Sequence, residues 1–592
     1  MIHLFRKAKA YGFVCLLLLS VGCNQKNKKY LKLDTFDKEI SECYRKQLSI
    51  CSKFLDSLNE TNEIEKKKTL YLRARKSFKL LEPILAYSDK HNYKSLNAPN
   101  ILIVRGEESL DTKVLNPIGF QVIEEVLYED RLDTLALKNL VDVTSARLKL
   151  IHNNLHLQLK AYHIIWLVRD QIIRIATTGI TGFDSPVLNQ SLLESSYTYE
   201  TLKQLIKLNN KKFSSKEIYN KVLKSFEEAQ IALKRDFNLF DRFDFIKKHT
   251  DFQLKLLVEI QNDWNVTFPF ELALSNRMNT LFDEASFNRT FFSDPNNDTS
   301  QIKKKIAFGK ALFNDRSLSK DHSMSCATCH QKKLAFTDGK RVFDKNQTRN
   351  TPTLTYSAYQ NAFFMDARAG SLEGQIVDVV KEHHEFNTSM DSVVQRVLKN
   401  EEYKKNIDEL YGNQRISYNI RHAIASYIRT LNTFNSKFDK NIRGEENTLT
   451  ENEKKGFNLF MGKALCATCH FAPIFNGTVP PNYLDTEMEA IGTPNLVQNG
   501  LSEDLGRYAI FNTEERKHFF KTPTLRNIAK TAPYMHNGVF KTLEEVVDFY
   551  NKGGGIGLGF TLPNQTLPFD NLTLTDQEIK DLVAFMETLT DE

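Results

Sequence analysis

Ser325-Cys326-Ala327-Thr328-Cys329-His330 is followed 140 residues later by Leu465-Cys466-Ala467-Thr468-Cys469-His470. Each stretch holds a C-x-x-C-H pentapeptide. Two thiols three apart can be alkylated by the two vinyl groups of one haem, and the adjacent histidine then lies under the iron as proximal ligand. A Cys₄ zinc site would not need a histidine after both pairs. With eight Cys and 14 His in 592 residues, two such pentapeptides do not arise by chance. The sequence therefore predicts two covalent c-type haems, one on Cys326, Cys329 and His330, the other on Cys466, Cys469 and His470.

The flanks repeat as well. A helix is expected over 302–313 before the first motif and over 454–461 before the second, where Thr450 and Glu453 form a capping box. The polar stretches 291–301 and 443–453 mark boundaries. This order of helix, short loop and C-x-x-C-H predicts two cytochrome c-like domains, 301–440 and 447–592, each a few helices wrapped on a porphyrin.

Residues 24–290 have a different texture. They hold four glycines, against eighteen in 291–592. Few breakers and sustained apolar periodicity predict long helices over 37–58, 62–87, 135–178, 198–212 and 214–235. Leu70, Ala74, Phe78, Leu81 and Ile84 form a bundle-facing stripe. The fold class is thus mainly α, an N-terminal helical bundle followed by two haem domains. Within the bundle, Asn116-Pro117-Ile118-Gly119-Phe120-Gln121-Val122-Ile123-Glu124 resembles the G-x-H-x-x-E motif of imelysin-like helical domains. Gln121 stands where that motif has histidine, so no metal site is carried over. Ile118, Val122 and Ile123 would equally suit a packed helix, and the function of 24–290 stays open.

Residues 1–23 read as a leader. Arg6, Lys7 and Lys9 precede a short apolar run that ends Ser20-Val21-Gly22-Cys23. The run is too short to span a bilayer and fits a secretory signal. Its end resembles a bacterial lipoprotein processing site, in relaxed form because Ser20 takes the usual leucine position. An exported, periplasmic, lipid-anchored protein is expected, with no other membrane contact. The net charge of +7 is small for 592 residues, and no basic stripe interleaves with aromatics, so no nucleic-acid partner is expected. Outside the haem motifs and leader only Cys43 and Cys51 remain. They lie eight apart on one expected helix, too far apart for a disulfide, and read as buried small apolar residues.

Beyond the haem motifs lie Phe308-Gly309-Lys310-Ala311-Leu312-Phe313, Arg349-Asn350-Thr351-Pro352-Thr353, Thr522-Pro523-Thr524-Leu525-Arg526-Asn527 and Thr531-Ala532-Pro533-Tyr534-Met535-His536-Asn537-Gly538. Over 301–592 the chain resembles the bacterial di-haem cytochrome c peroxidase family, which includes the MauG enzymes. The resemblance implies an open first haem where hydrogen peroxide is reduced, and a second haem that relays electrons from a small donor such as a cytochrome c. The family places a glutamine and a glutamate ten and twenty residues after an aromatic in a segment that here reads Phe364-Met365-Asp366-Ala367-Arg368; counted from Met365, which holds the aromatic position, these are Gln375 and Glu385. Peroxide heterolysis needs a proton moved from the inner to the outer oxygen, and a desolvated carboxyl can carry it. The resemblance also implies Tyr550 as sixth ligand of the second haem, fourteen residues after His536, with Met535, Met461 or Met586 as alternatives. It implies Ca²⁺ held by Asn350, Thr531 and Pro533, and haem propionates paired with Arg368 and Arg526.

Two departures from the family shape the expectation. Met365 replaces the family's interhaem tryptophan, with Tyr359, Phe363 or Phe364 as possible stand-ins. The loop 331–347 contains no histidine to block the first haem, so that haem is expected to be five-coordinate or water-ligated at rest. His383 and His384 beside Glu385 are expected to be exposed. Hydrogen peroxide reduction is the leading function. The alternatives are MauG-like peroxide-dependent oxidation of a partner protein, and a non-enzymatic electron-transfer or haem-binding role.

Overall fold

A computed structural model describes residues 35–107, 111–293, 298–568 and 570–592. The leader, with Cys15 and Cys23, lies outside these. The fold is mainly helical. The bundle is built on α1 (Thr35–Glu60), α2 (Ile64–Ser88), α3 (Thr134–Asn153), α4 (Ala161–Arg174), α5 (Ser191–Leu208), α6 (Lys216–Ala232) and α7 (Asp251–Asp263). Leu70, Ala74, Phe78, Leu81 and Ile84 are buried on α2, as their spacing requires. One short hairpin interrupts the helices, pairing β1 (Ile103–Arg105) antiparallel with β2 (Lys113–Leu115).

The expected helix over 135–178 is two helices. α3 stops at Asn153, and Asn154 folds its side-chain amide back onto Leu150 O at 3.0 Å, a local bond that competes with helix propagation. Extended chain follows until α4, and its Leu159 N–H is caught by Asp37 Oδ1 at 3.0 Å. Cys51 is buried as expected. Cys43 is exposed instead and accepts from Gln204 Nε2 at 3.2 Å.

The expected G-x-H-x-x-E likeness turns inward. Glu124 accepts from Tyr71 Oη (2.9 Å), Ser185 Oγ (3.0 Å) and the N–H groups of Val187 and Leu188 (both 3.0 Å). Gln121 donates to Asn97 O at 2.8 Å. Gly119 has φ +107°, and a Cβ there would sit 2.3 Å from Leu96 O. These polar groups hold the bundle's own turns, and their hydrogen-bonding capacity is used internally.

Each haem region repeats one helix crossing. α8 (Ile302–Asn314) crosses α10 (Ile416–Ile428), and α11 (Glu451–Phe460) crosses α13 (Asp576–Glu587). Between them lie α9 (Leu372–Lys381) and, later, α12 (Leu543–Asn551). A Cβ on Gly309 would fall 1.8 Å from Ala423 O, and one on Gly456 1.9 Å from Asp581 O. Glycine is therefore what lets each helix pair touch backbone to backbone. β3 (Met488–Glu489) and β4 (Phe520–Lys521) form a second small antiparallel pair.

Two large apolar cores result. One belongs to the first haem region and includes Phe308, Phe313, Ile420 and Ile424. The other runs without a break from the bundle into the second haem region. Phe243 of the bundle packs 6.0 Å from Phe438 and 6.1 Å from Phe457, and Phe282 lies 5.4 Å from Phe438. Phe438 and Ile442, just before the expected boundary at 443–453, are fully buried in this core.

Candidate di-haem site

The two C-x-x-C-H motifs adopt the same local form. In each, the first cysteine carbonyl accepts the histidine N–H at 2.9 Å, and a bridge closes the next loop, Gln331 with Thr337 and Phe471 with Asn476. The loop then aims a carbonyl at the imidazole. His330 Nδ1 is 2.8 Å from Phe336 O; His470 Nδ1 is 3.2 Å from Phe475 O and 3.1 Å from Pro523 O. A carbonyl only accepts, so Nδ1 carries the proton in both rings and Nε2 keeps its lone pair. This is the orientation that second-sphere carbonyls impose on metal-ligating histidine. Burial lowers the pKa of both imidazoles, that of His470 to about 4, so both rings are neutral. None of the four cysteines is in a disulfide, so all four sulfurs are available for thioether attachment.

Beside each motif lies an apolar cavity. The first is lined by Cys326, Cys329 and His330 together with Gln375, Glu385, Leu372, Ile420 and Ile424. The second, about 280 Å³, is lined by Cys466, Cys469, His470, Tyr550, Met535, Met586 and Met365. Leu354 and Gln375 line both, so the cavities meet there. Thiols, a neutral imidazole with a free Nε2 and an apolar slot form the donor set of a c-type haem site, and they occur twice.

Among the described residues, Glu385 is the one carboxyl lining the first cavity. Burial first, then the nearby Glu382 carboxylate, raise its pKa to about 7, against the lowering effect of Arg368. It is set by a turn in which Glu385 N donates to Glu382 O at 3.1 Å. Its neighbours His383 and His384 are exposed, and His384 lies 3.6 Å from Asp344. Gln375 sits on α9, whose N-cap Ser371 accepts from Gly374 N at 3.1 Å. In the second cavity the half-buried Tyr550 phenol has its pKa raised by desolvation first and then by the nearby Cys469 and Cys466. Met461 is buried but does not line either cavity.

Neither arginine expected at a propionate lines a cavity. Arg526 is fully buried, donating to Asp439 Oδ2 at 2.6 Å and twice to Pro473 O at 3.0 and 2.6 Å. Arg368 pairs with Asp366 at 2.7 Å and stacks on Phe364 at 3.5 Å. Buried carboxylates hold both guanidinium groups, because an unpaired one would cost more than either pairing. The cation that does line the second cavity is Lys521, whose Nζ donates to Gln360 Oε1 at 3.3 Å. Burial lowers its pKa to about 8. Glu489 lines the same cavity, its pKa raised to about 7 by burial and Glu487. Sequence reading passed over both, although Lys521 directly precedes the quoted Thr522-Pro523-Thr524.

Asn350, Thr531 and Pro533 all line the second cavity. Asn350 Nδ2 lies 2.9 Å from Pro533 O, and Asn350 Oδ1 is buried with no hydrogen-bond partner. Amide oxygen and nitrogen are interchangeable by a flip. Flipped, the carboxamide oxygen would face the Pro533 carbonyl at the same short distance, an arrangement that calls for a cation between them. These oxygens fit Ca²⁺, a hard ion that takes carbonyl ligands. Among the described residues no group of three His, Cys, Asp or Glu is placed to hold a metal ion.

Two apolar cavities, each with C-x-x-C-H at its edge, define a di-haem c-type protein. The sequence model of the di-haem cytochrome c peroxidase family matches residues 303–447. Cytochrome-c peroxidase IdrP1 of Pseudomonas sp. (strain SCT) is 35% identical over 325 residues, 50% of this chain and 82% of that one. Cytochrome-c peroxidase IdrP2 of Denitromonas iodatirespirans is 33% identical over 308 residues, 48% of this chain and 82% of that one. Methylamine utilization protein MauG of Methylorubrum extorquens is 35% identical over 296 residues, 49% of this chain and 79% of its own. The chain belongs to the di-haem cytochrome c peroxidase family, and as a member it is an oxidoreductase that carries two c-type haems.

Proposed function

We propose that this protein reduces hydrogen peroxide to water in the first cavity, with two electrons arriving through the second haem from a small redox protein such as a cytochrome c. The supporting observation is Glu385, a desolvated carboxyl with pKa near 7 in the cavity that holds His330. When bound, each haem supplies a redox-active iron, the first for peroxide reduction and the second for electron relay. The Glu385 carboxylate accepts the proton of the inner peroxide oxygen and returns it to the outer oxygen, which leaves as water. Gln375 orients peroxide or water, since its amide can donate and accept. The proximal histidines hold Nε2 toward their cavities through the carbonyls of Phe336, Phe475 and Pro523. The reaction balances as H₂O₂ with two protons and two electrons giving two waters.

Tyr550 favours a second reading, MauG-like oxidation of a partner protein by peroxide. A phenolate stabilises ferric iron where a thioether raises the potential. We read Tyr550 as the sixth ligand of the second haem. Tyr550→Phe should change the optical and EPR spectrum of that haem and leave the first unchanged. An unaltered spectrum would move the ligand role to Met535 or Met586. Steady-state consumption of peroxide with reduced cytochrome c supports the peroxidase; peroxide-dependent spectral change without such turnover supports the oxidase. No spectral response to peroxide would leave an electron-transfer or haem-binding role.

We further read the chain as exported and lipidated at Cys23, with a bundle over 24–290 and haem domains over 301–440 and 447–592. Among the described residues no helix is long and apolar enough to cross a membrane. A Ca²⁺ ion would sit on Asn350, Thr531 and Pro533. Chelator-treated protein should then rebind one Ca²⁺ per chain by calorimetry, and Asn350→Ala should abolish that binding. Equal binding by the variant would rule this site out.

A further inference from the structure

Glu107 follows β1 in the bundle and meets two arginines some 400 residues further on. Its carboxylate lies 3.4 Å from Arg507 Nε and 3.7 Å from Arg516 Nε, and its side chain is only 10% exposed. Both guanidinium groups are largely buried, and an acid beside them offsets the cost of taking their charge out of water. Arg507 turns its other end to the backbone. Its Nη1 donates to Ala367 O at 2.7 Å and Asp366 O at 3.2 Å.

Those carbonyls belong to the segment 364–368, which forms part of the wall of the second haem cavity. Phe364 and Met365 line the second cavity. Downstream, the chain enters α9 and delivers Gln375, which lines both. The segment is not one the backbone adopts unaided. Phe364 and Ala367 both stand in the left-handed region, at φ +63° and +57°, which non-glycine residues hold only when their surroundings impose it. The surroundings are specific. Asp366 receives Arg349 at 2.5 Å and Arg368 at 2.7 Å, Met365 O accepts Lys521 N–H at 2.7 Å, and Arg507 takes the carbonyls of Asp366 and Ala367. Among the described residues, the hold through Arg507 is the one answered by a charge from the bundle, that of Glu107.

We propose that Glu107 is a positioning residue through which the N-terminal bundle sets the 364–368 segment at the second haem site, ahead of the helix that carries Gln375. The bundle is then an internal partner of the haem domains and not an independent passenger. This holds whichever peroxide reaction the haems perform, because the contact concerns backbone placement.

The test is hydrogen exchange by mass spectrometry on the full-length holoprotein, comparing wild type, Glu107→Gln and Glu107→Asp. Segment 363–369 has its own reporters, since Phe363 N donates to Ala369 O at 2.9 Å and Arg368 N to Asp366 Oδ1 at 3.2 Å. Glu107→Gln should accelerate exchange in 363–369 by tenfold or more, with α10 and α13 unchanged. Glu107→Asp should restore most of the protection. Reduction of the second haem should also perturb the first haem's optical spectrum differently in Glu107→Gln. Unchanged exchange in 363–369 would overturn the proposal, and so would an increase spread evenly over both haem domains. If Glu107→Gln does not fold, Arg507→Lys, which keeps the charge but loses the second donor nitrogen, should give the same local acceleration, and unaltered protection there would equally overturn it.

Discussion

Glu385→Gln should slow reaction with hydrogen peroxide by about 10²–10⁴-fold, the range lost with a positioned acid–base group, while both haems stay attached. The amide keeps the shape and the hydrogen bonds but cannot take and return a proton. The same residue sets a pH profile. Burial and Glu382 raise its carboxyl to about 7, so it is mainly protonated at pH 6 and mainly ionised at pH 8. Accepting the peroxide proton needs the ionised form. The wild-type rate should therefore climb as pH rises through about 7 and level off above it, and Glu385→Gln should be slow and flat across that window. Stopped-flow mixing with peroxide from pH 5.5 to 8.5 reads both effects. A variant as fast as wild type, or one that keeps the rise at pH 7, would move the proton transfer to another group.

Gly309→Ala and Gly456→Ala carry the second large effect. A methyl at Gly309 would lie 1.8 Å from Ala423 O, and at Gly456 1.9 Å from Asp581 O. Neither obstacle is a flexible side chain. Each helix pair must separate, and overpacking of this kind costs about 1–3 kcal/mol or more. Each crossing sits behind one haem motif, so the losses should be selective. Gly309→Ala should lower haem occupancy at Cys326 and Cys329, and Gly456→Ala at Cys466 and Cys469. Peptide mapping of haem-bearing fragments separates the two. Gly370→Ala, with nothing within 4 Å of the added methyl, is the control and should leave both sites filled.

The haem motifs were readable because thioether attachment fixes residue type and spacing together, which local sequence carries in full. The helices before them and the stripe on α2 were readable for the same reason, as periodicity is local. What escaped were features set by distant partners. Asp439 lies 87 residues before Arg526 and engages it only in the fold, and nothing near that arginine announces the carboxylate. Asn154 and Asp37 end a helix that periodicity would continue. Lys521 and Glu489 face the second cavity because β3 pairs with β4, thirty residues apart in sequence. The crossing glycines could have been found: each is a lone glycine inside a helix leading to C-x-x-C-H. The union of the bundle and second haem region into one core could not, since Phe243, Phe282 and Phe438 look like ordinary core residues one at a time.

The most direct measurement is the low-temperature EPR spectrum of the fully oxidised protein, recorded before and after one equivalent of peroxide. Two haem signals should be present at rest, one high-spin from an open first site and one low-spin from the second, and peroxide should remove the high-spin signal. A single haem signal, or two low-spin signals that ignore peroxide, would contradict a pair of haems with one face left free for peroxide.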